Sequence, residues 1–108
     1  MAMKLVHKLN AEAAVWFLRN IEGPECFWVN NGPIVASLEH LASAIRGMKK
    51  ELFLHHCNKD KNDFANWIEA VVGDVKLAAQ MRKSRSRRNI LQALNQRIKA
   101  LKKVAAHA

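Results

Sequence analysis

The densest run of chemically able side chains is His55-His56-Cys57, followed by Asp60 and Asp63. Imidazole, thiolate and carboxylate are the ligands of zinc, but tetrahedral sites are usually announced by Cys-x-x-Cys or His-x-x-x-His spacing, and neither occurs. Neighbours on a helix point about 100° apart, so His55 and His56 do not chelate together unless the helix ends between them. The favoured role is structural: one histidine closes the helix C-terminus or bonds the Asn62-Asp63 turn, where a positive imidazole suits the helix dipole. No metal is expected. Cys57 beside a histidine suggests a nucleophile and its base, yet covalent catalysis also needs an oxyanion site, and none is in view. A Gly-rich phosphate loop, a Gly-x-Ser-x-Gly turn and a His-Glu-x-x-His helix are missing as well. The chain is therefore expected to be non-enzymatic and without cofactors, with Cys57 a small core residue.

The stronger signal is cationic. Arg82-Lys83-Ser84-Arg85-Ser86-Arg87-Arg88 concentrates five positive charges in seven residues. Each guanidinium can reach a phosphate, and Ser84 or Ser86 can cap the helix that follows. On that helix Arg88, Gln92, Gln96 or Asn95, Lys99 and Lys103 recur on a face away from Leu91, Leu94, Ile98 and Leu101. Of the 108 residues, 18 are Lys or Arg and 9 are Asp or Glu, a net charge of +9. The first 81 residues hold nine cations and nine carboxylates, so the whole excess lies in residues 82–108, which contain no Asp or Glu. Surfaces normally mix the two signs, which lifts nucleic acid above a merely solubilising face. The candidate contacts to DNA or RNA are Arg82, Lys83, Arg85, Arg87, Arg88, Lys99 and Lys103, mainly on the phosphate backbone and with low sequence specificity. Trp28 joins them as an aromatic for stacking on a base. The alternative is a protein-interaction module: an acidic protein steered by the same charges, or a homodimer through the hairpin or the Leu91, Leu94, Ile98, Leu101 stripe. Membrane binding is disfavoured because that apolar face lacks aromatics.

These residues have to be positioned by a small, mainly α domain. Half the residues are apolar and a quarter are charged, the balance of one soluble globular unit spanning residues 1–108. The apolar run Ala13 to Leu18 is far short of the roughly 20 residues that cross a bilayer. Met1 to Lys8 lacks the pattern of a secretory signal, and two isolated cysteines suit the reducing cytoplasm. A first amphipathic helix is expected from Leu5 to Ile21, with Leu5, Leu9, Ala13, Trp16 and Phe17 inward and Gly23-Pro24 as its stop. Phe27-Trp28-Val29, Asn30-Asn31-Gly32-Pro33 and Ile34-Val35 read as a short β-hairpin. Alternation puts Phe27 and Val29 on one face of it, Cys26 and Trp28 on the other. Ser37 caps a helix with Leu38, Leu41, Ile45, Met48 and Leu52 in line, and Gly47 is placed to break it, since Phe53 and Leu54 fall off that line. After a polar loop from Cys57 to Lys61, Asn62 or Asp63 caps a helix carrying Phe64, Trp67, Ile68 and Val71, which Gly73 ends. Asp74 caps the next, with Val75, Leu77, Ala78 and Met81 inward. Leu91, Leu94, Ile98, Leu101 and Ala105 mark the last.

Ser37-Leu38-x-x-Leu41, His55-His56, Asn62-Asp63-Phe64-Ala65-x-Trp67-Ile68, Gly73-Asp74 and Leu77-Ala78 form a constellation over Glu25 to Leu101. It resembles a family of small archaeal and bacterial domains of unknown function, in which an aromatic hairpin precedes a helical body with a His…Asn-Asp-Phe-x-x-Trp motif. Lys49-Lys50 and the basic run Arg82 to Arg88 depart from that pattern. The resemblance implies a fold and no activity.

Overall fold

The computed structural model describes residues 9–107. They form six helices and one two-stranded hairpin, a mainly α architecture. Helix α1 (Ala11–Phe17) starts where the Asn10 carboxamide accepts the Ala13 N–H at 2.8 Å. The expected inward position of Leu5 lies outside the described residues. The helix ends well before Gly23-Pro24, because the chain turns off to let Ile21 donate its N–H to the Ala36 carbonyl and enter the core. This early exit sets the face: Ala14 is buried, whereas Trp16, expected inward, is 57% exposed. Its ring instead carries the Arg19 guanidinium 3.6 Å from the centroid.

The hairpin pairs β1 (Phe27–Trp28) with β2 (Ile34–Val35) in antiparallel register, Phe27 opposite Val35 and Trp28 opposite Ile34. Phe27, Val29 and Val35 are buried, and Trp28 and Ile34 face outward, as alternation requires. The turn uses positive φ at Asn31 alone. Gly32 serves a different end: a Cβ there would come within 2.7 Å of the Val29 side chain.

Helices α2 (Leu38–Gly47) and α3 (Lys50–His56) are separated at Met48, whose extended backbone reorients the chain and buries Phe53. Ser37 caps α2 through the His40 N–H at 3.1 Å. Helix α4 (Asp63–Trp67), capped by Asn62, widens into a π turn at Ile68–Val72 that Gly73 closes at φ +95°. That left-handed conformation is one an L side chain resists. Helix α5 (Val75–Met81) is capped by Asp74. Val75, placed inward by its type, is 60% exposed, because the buried line of this short helix runs through Leu77, Ala78 and Met81.

Helix α6 (Arg87–Ala105) begins at Ser86, whose hydroxyl accepts the Asn89 N–H. It packs against α1, α2 and α5, so the charge boundary at residue 82 is not a boundary of the core. Ile90, Leu94, Ile98 and Leu101 are its buried side chains, with Leu91 only partly covered. No helix of the described residues is long and apolar enough to cross a membrane.

Candidate nucleic-acid interface

The His55 to Asp63 cluster resolves into a structural knot. His56 is buried, its Nδ1 lies 3.0 Å from Asp63 Oδ2, and its Nε2 accepts the Asn30 N–H at 3.1 Å. A ring nitrogen that accepts cannot also carry a proton, so this geometry assigns the proton to Nδ1, which donates to Asp63. The ring also packs against Phe27 and Phe64, tying the hairpin to α3 and α4. Burial by itself would raise the Asp63 carboxyl. Hydrogen bonds from Lys61 and His56, reinforced by the charge of Lys61, outweigh it and hold the carboxyl below the usual carboxylate range. Cys57 has no accessible surface, and burial pushes its thiol up, with nearby Arg85 opposing and Asp63 adding to the rise. The nucleophilic thiolate form is thereby disfavoured. Among the described residues, no three His, Cys, Asp or Glu side chains gather in the manner of a metal site.

The arginines divide sharply. Arg87, grouped by sequence with the phosphate contacts, is half-buried: its Nη1 donates to the Ile45 carbonyl at 3.1 Å and to the Met48 carbonyl, and its guanidinium lies 5.1 Å from the Phe53 centroid. It satisfies the carbonyls left open where α2 ends, which removes it from the set that faces a ligand. Arg82 is exposed but bridged to Glu69, and its Nη2 donates to Asn66 Oδ1 at 2.9 Å. Arg97 forms a two-pronged pair with Asp74, at 2.7 and 2.9 Å, and Asp74 is only 1% exposed. Arg19 closes the π turn through the Val71 and Val72 carbonyls. Lys102 meets Glu39 at 2.8 Å.

Lys83 and Arg85 have no such partner among the described residues, and they stand on the wall of a groove of about 510 Å³. The turn between α5 and α6 forms that wall, through Arg82, Lys83, Ser84 and Arg85. The loop between α3 and α4 forms the other, through Asn58, Lys59, Asp60, Lys61 and Asn62. Five cations thus line a concave surface that holds one carboxylate, Asp60. The loop is itself ordered by a bridge between Cys57 and Asn62, and by Asn58, whose amide donates to the Leu54 carbonyl and whose Oδ1 accepts the Asp60 N–H. Asn62 accepts the Ala65 N–H, while its buried Nδ2 has no partner. Lys61 is shared with Asp63 at 2.9 Å, which leaves Lys59, Lys83 and Arg85 as the uncompensated charges of the groove.

Sequence reasoning missed Lys59 and Lys61, which sit in the neutral part of the chain. The available signal was the density of Lys and Asn in the loop, and only folding brings that loop opposite Arg82 to Arg85. The remaining predicted residues lie elsewhere. Arg88, Lys99 and Lys103 are exposed on α6, opposite its buried line, together with Gln92, Asn95 and Gln96. Trp28 is 61% exposed on the outer face of the hairpin and is not among the residues lining the groove. No family model, curated protein or solved structure matches the chain. The resemblance on the His…Asn-Asp-Phe-x-x-Trp motif therefore rests on those residues alone.

Proposed function

We propose that this protein is a non-enzymatic nucleic-acid-binding module that holds the phosphate backbone with low sequence specificity. The single observation that carries the reading is the groove between residues 58–62 and 82–85, where five cations meet one carboxylate, Asp60, and Lys59, Lys83 and Arg85 have no ion-pair partner among the described residues. Gathering like charges has an electrostatic cost that a polyanion removes, and phosphates are the anions that arrive in a row. Arg88, Lys99 and Lys103 extend the positive surface along α6. Arg82 contributes charge while anchored to Glu69, and Arg87 contributes by fixing the start of α6.

Fluorescence anisotropy with labelled RNA and DNA oligonucleotides, titrated over a salt series, tests this. Affinity falls linearly with salt on logarithmic axes, with a slope of about 0.7 to 0.9 per phosphate neutralised. Absence of binding at low salt rejects the reading. A second reading, a protein-interaction module, draws on the outward cross-strand pair Trp28 and Ile34, which are 61% and 47% exposed. Its other version used the α6 apolar stripe, but Leu94, Ile98 and Leu101 are already covered by the protein's own core. Light scattering on the wild type and on Trp28→Ser tests whether the hairpin face self-associates.

A further inference from the structure

The hydrogen-bonding groups of the cationic groove are unevenly engaged. Asn58 Oδ1 accepts the Asp60 N–H, Asn62 Oδ1 accepts the Ala65 N–H, and Asn66 Oδ1 accepts from the Arg82 guanidinium. Ser84 Oγ takes both the Ser86 N–H and the Asn89 amide. These side-chain acceptors are thus occupied within the chain, while Lys59, Lys83 and Arg85 keep their donors free. Asp60 is the exception among the acceptors. Its backbone N–H helps to order the loop, but its side chain is exposed and its carboxylate forms no ion pair among the described residues, although Lys59 and Lys61 flank it in sequence. Lys61 is held by Asp63 instead, at 2.9 Å. An ionised carboxylate only accepts hydrogen bonds. On a surface that receives phosphates it repels the ligand, unless the ligand brings a donor to it.

We infer that Asp60 receives a ribose 2′-hydroxyl, so that the groove takes RNA in preference to DNA. The inference rests on the proposed function and names the kind of nucleic acid. The sugar-phosphate backbone of DNA presents acceptors alone, because its phosphate, ester and ring oxygens carry no hydrogen. In RNA the carbon beside the one that bears each 3′ phosphate carries a hydroxyl, the one donor of the repeating backbone. Cations on both walls with a single free acceptor among them match that repeat: phosphates to Lys59, Lys83 and Arg85, and the hydroxyl between phosphates to Asp60. The contact is with the sugar, so it distinguishes RNA from DNA while leaving sequence specificity low. Against DNA the same carboxylate contributes its repulsion and gains no bond.

Anisotropy titrations of labelled oligouridine, oligodeoxyuridine and 2′-O-methyl oligouridine, at matched length and salt, test this on the wild type and on Asp60→Ala. The three strands share their base and their phosphates. The methyl ether keeps the 2′ oxygen and the ribose pucker but has no hydrogen to donate. Oligouridine is expected to bind the wild type about fivefold more tightly than either of the others, the scale of one hydrogen bond. In Asp60→Ala the deoxy and methylated strands are expected to gain affinity as the repulsion disappears, and the three strands converge. The substituted side chain is exposed and the loop bond to Asn58 comes from the Asp60 backbone, so the groove is retained. Equal affinity of the wild type for the three strands overturns the inference and leaves the phosphate reading standing. A preference for RNA that survives 2′-O-methylation, or the loss of Asp60, overturns it as well. Failure of the wild type to bind any of the three rejects both readings.

Discussion

Polar side chains close together in this sequence meet opposite fates, and the contrast between the inward and the outward set is instructive. Asp74 with Arg97, His56 with Asp63, and Arg87 with the end of α2 are each satisfied from within the chain. Lys59 instead lines one wall of an open groove, and Lys83 and Arg85 line the other. Arg85 and Arg87 are two residues apart, yet one lines a groove and the other caps a helix. Residue type and local density do not distinguish them; the position of the α2 carbonyls does. What marks a candidate binding group in this fold is therefore an unmet electrostatic requirement rather than a basic run as such.

The comparison breaks most visibly if the inward set is dispensable. Asp74→Ala strands the Arg97 guanidinium and removes the cap of α5, and is expected to cost about 3 to 5 kcal/mol, read from the urea midpoint. A variant as stable as the wild type would mean that the pair is incidental. Arg87→Gln comes next, with a loss of about 1.5 to 3 kcal/mol for its charge-assisted bonds to two carbonyls. Its salt slope for nucleic acid should match the wild type, which separates it from Arg85. A smaller effect, present at neutral pH and lost in acid, belongs to Asp63. Its folded pKa lies below the unfolded value, so its contribution is complete above about pH 4 and is lost as pH falls through the depressed pKa. Asp63→Asn is expected to narrow the stability gap from wild type as pH drops below 4, as thermal melts across that range would record. Smallest for stability is Lys83→Gln/Arg85→Gln, within about 0.5 kcal/mol of wild type because both side chains are exposed and unpaired. The same double variant should lower the salt slope by about 1.4 for a single strand, and a slope left intact would move the site away from the groove.

Much of the frame is legible from local pattern. The 3 and 4 spacing of Leu38, Leu41 and Ile45, the alternation around Phe27 and Trp28, and the caps Ser37, Asn62 and Asp74 all depend on near neighbours, and the fold uses them as expected. The charge asymmetry is legible too. What escapes is whatever depends on a distant partner. Trp16 has the spacing of a core residue, but α1 presents Ala14 inward once Ile21 is drawn to the hairpin. Lys59 and Lys61 lie more than twenty residues from Arg82, and nothing along the chain indicates that the two segments become opposite walls.

The segment joining α5 to α6 is tethered at both ends: Arg82 is tied to Glu69 and Asn66, Arg87 to the end of α2, and Ser84 bonds the Ser86 N–H and the Asn89 amide between them. Lys83 and Arg85 therefore project from a short arch whose backbone freedom was surrendered when the chain folded, and a ligand has only their side chains left to immobilise. A loop that orders on binding charges that loss against affinity, at roughly 1 to 2 kcal/mol per residue of backbone. Here the ordering is settled in advance, which suits capture of a strand only a few nucleotides long.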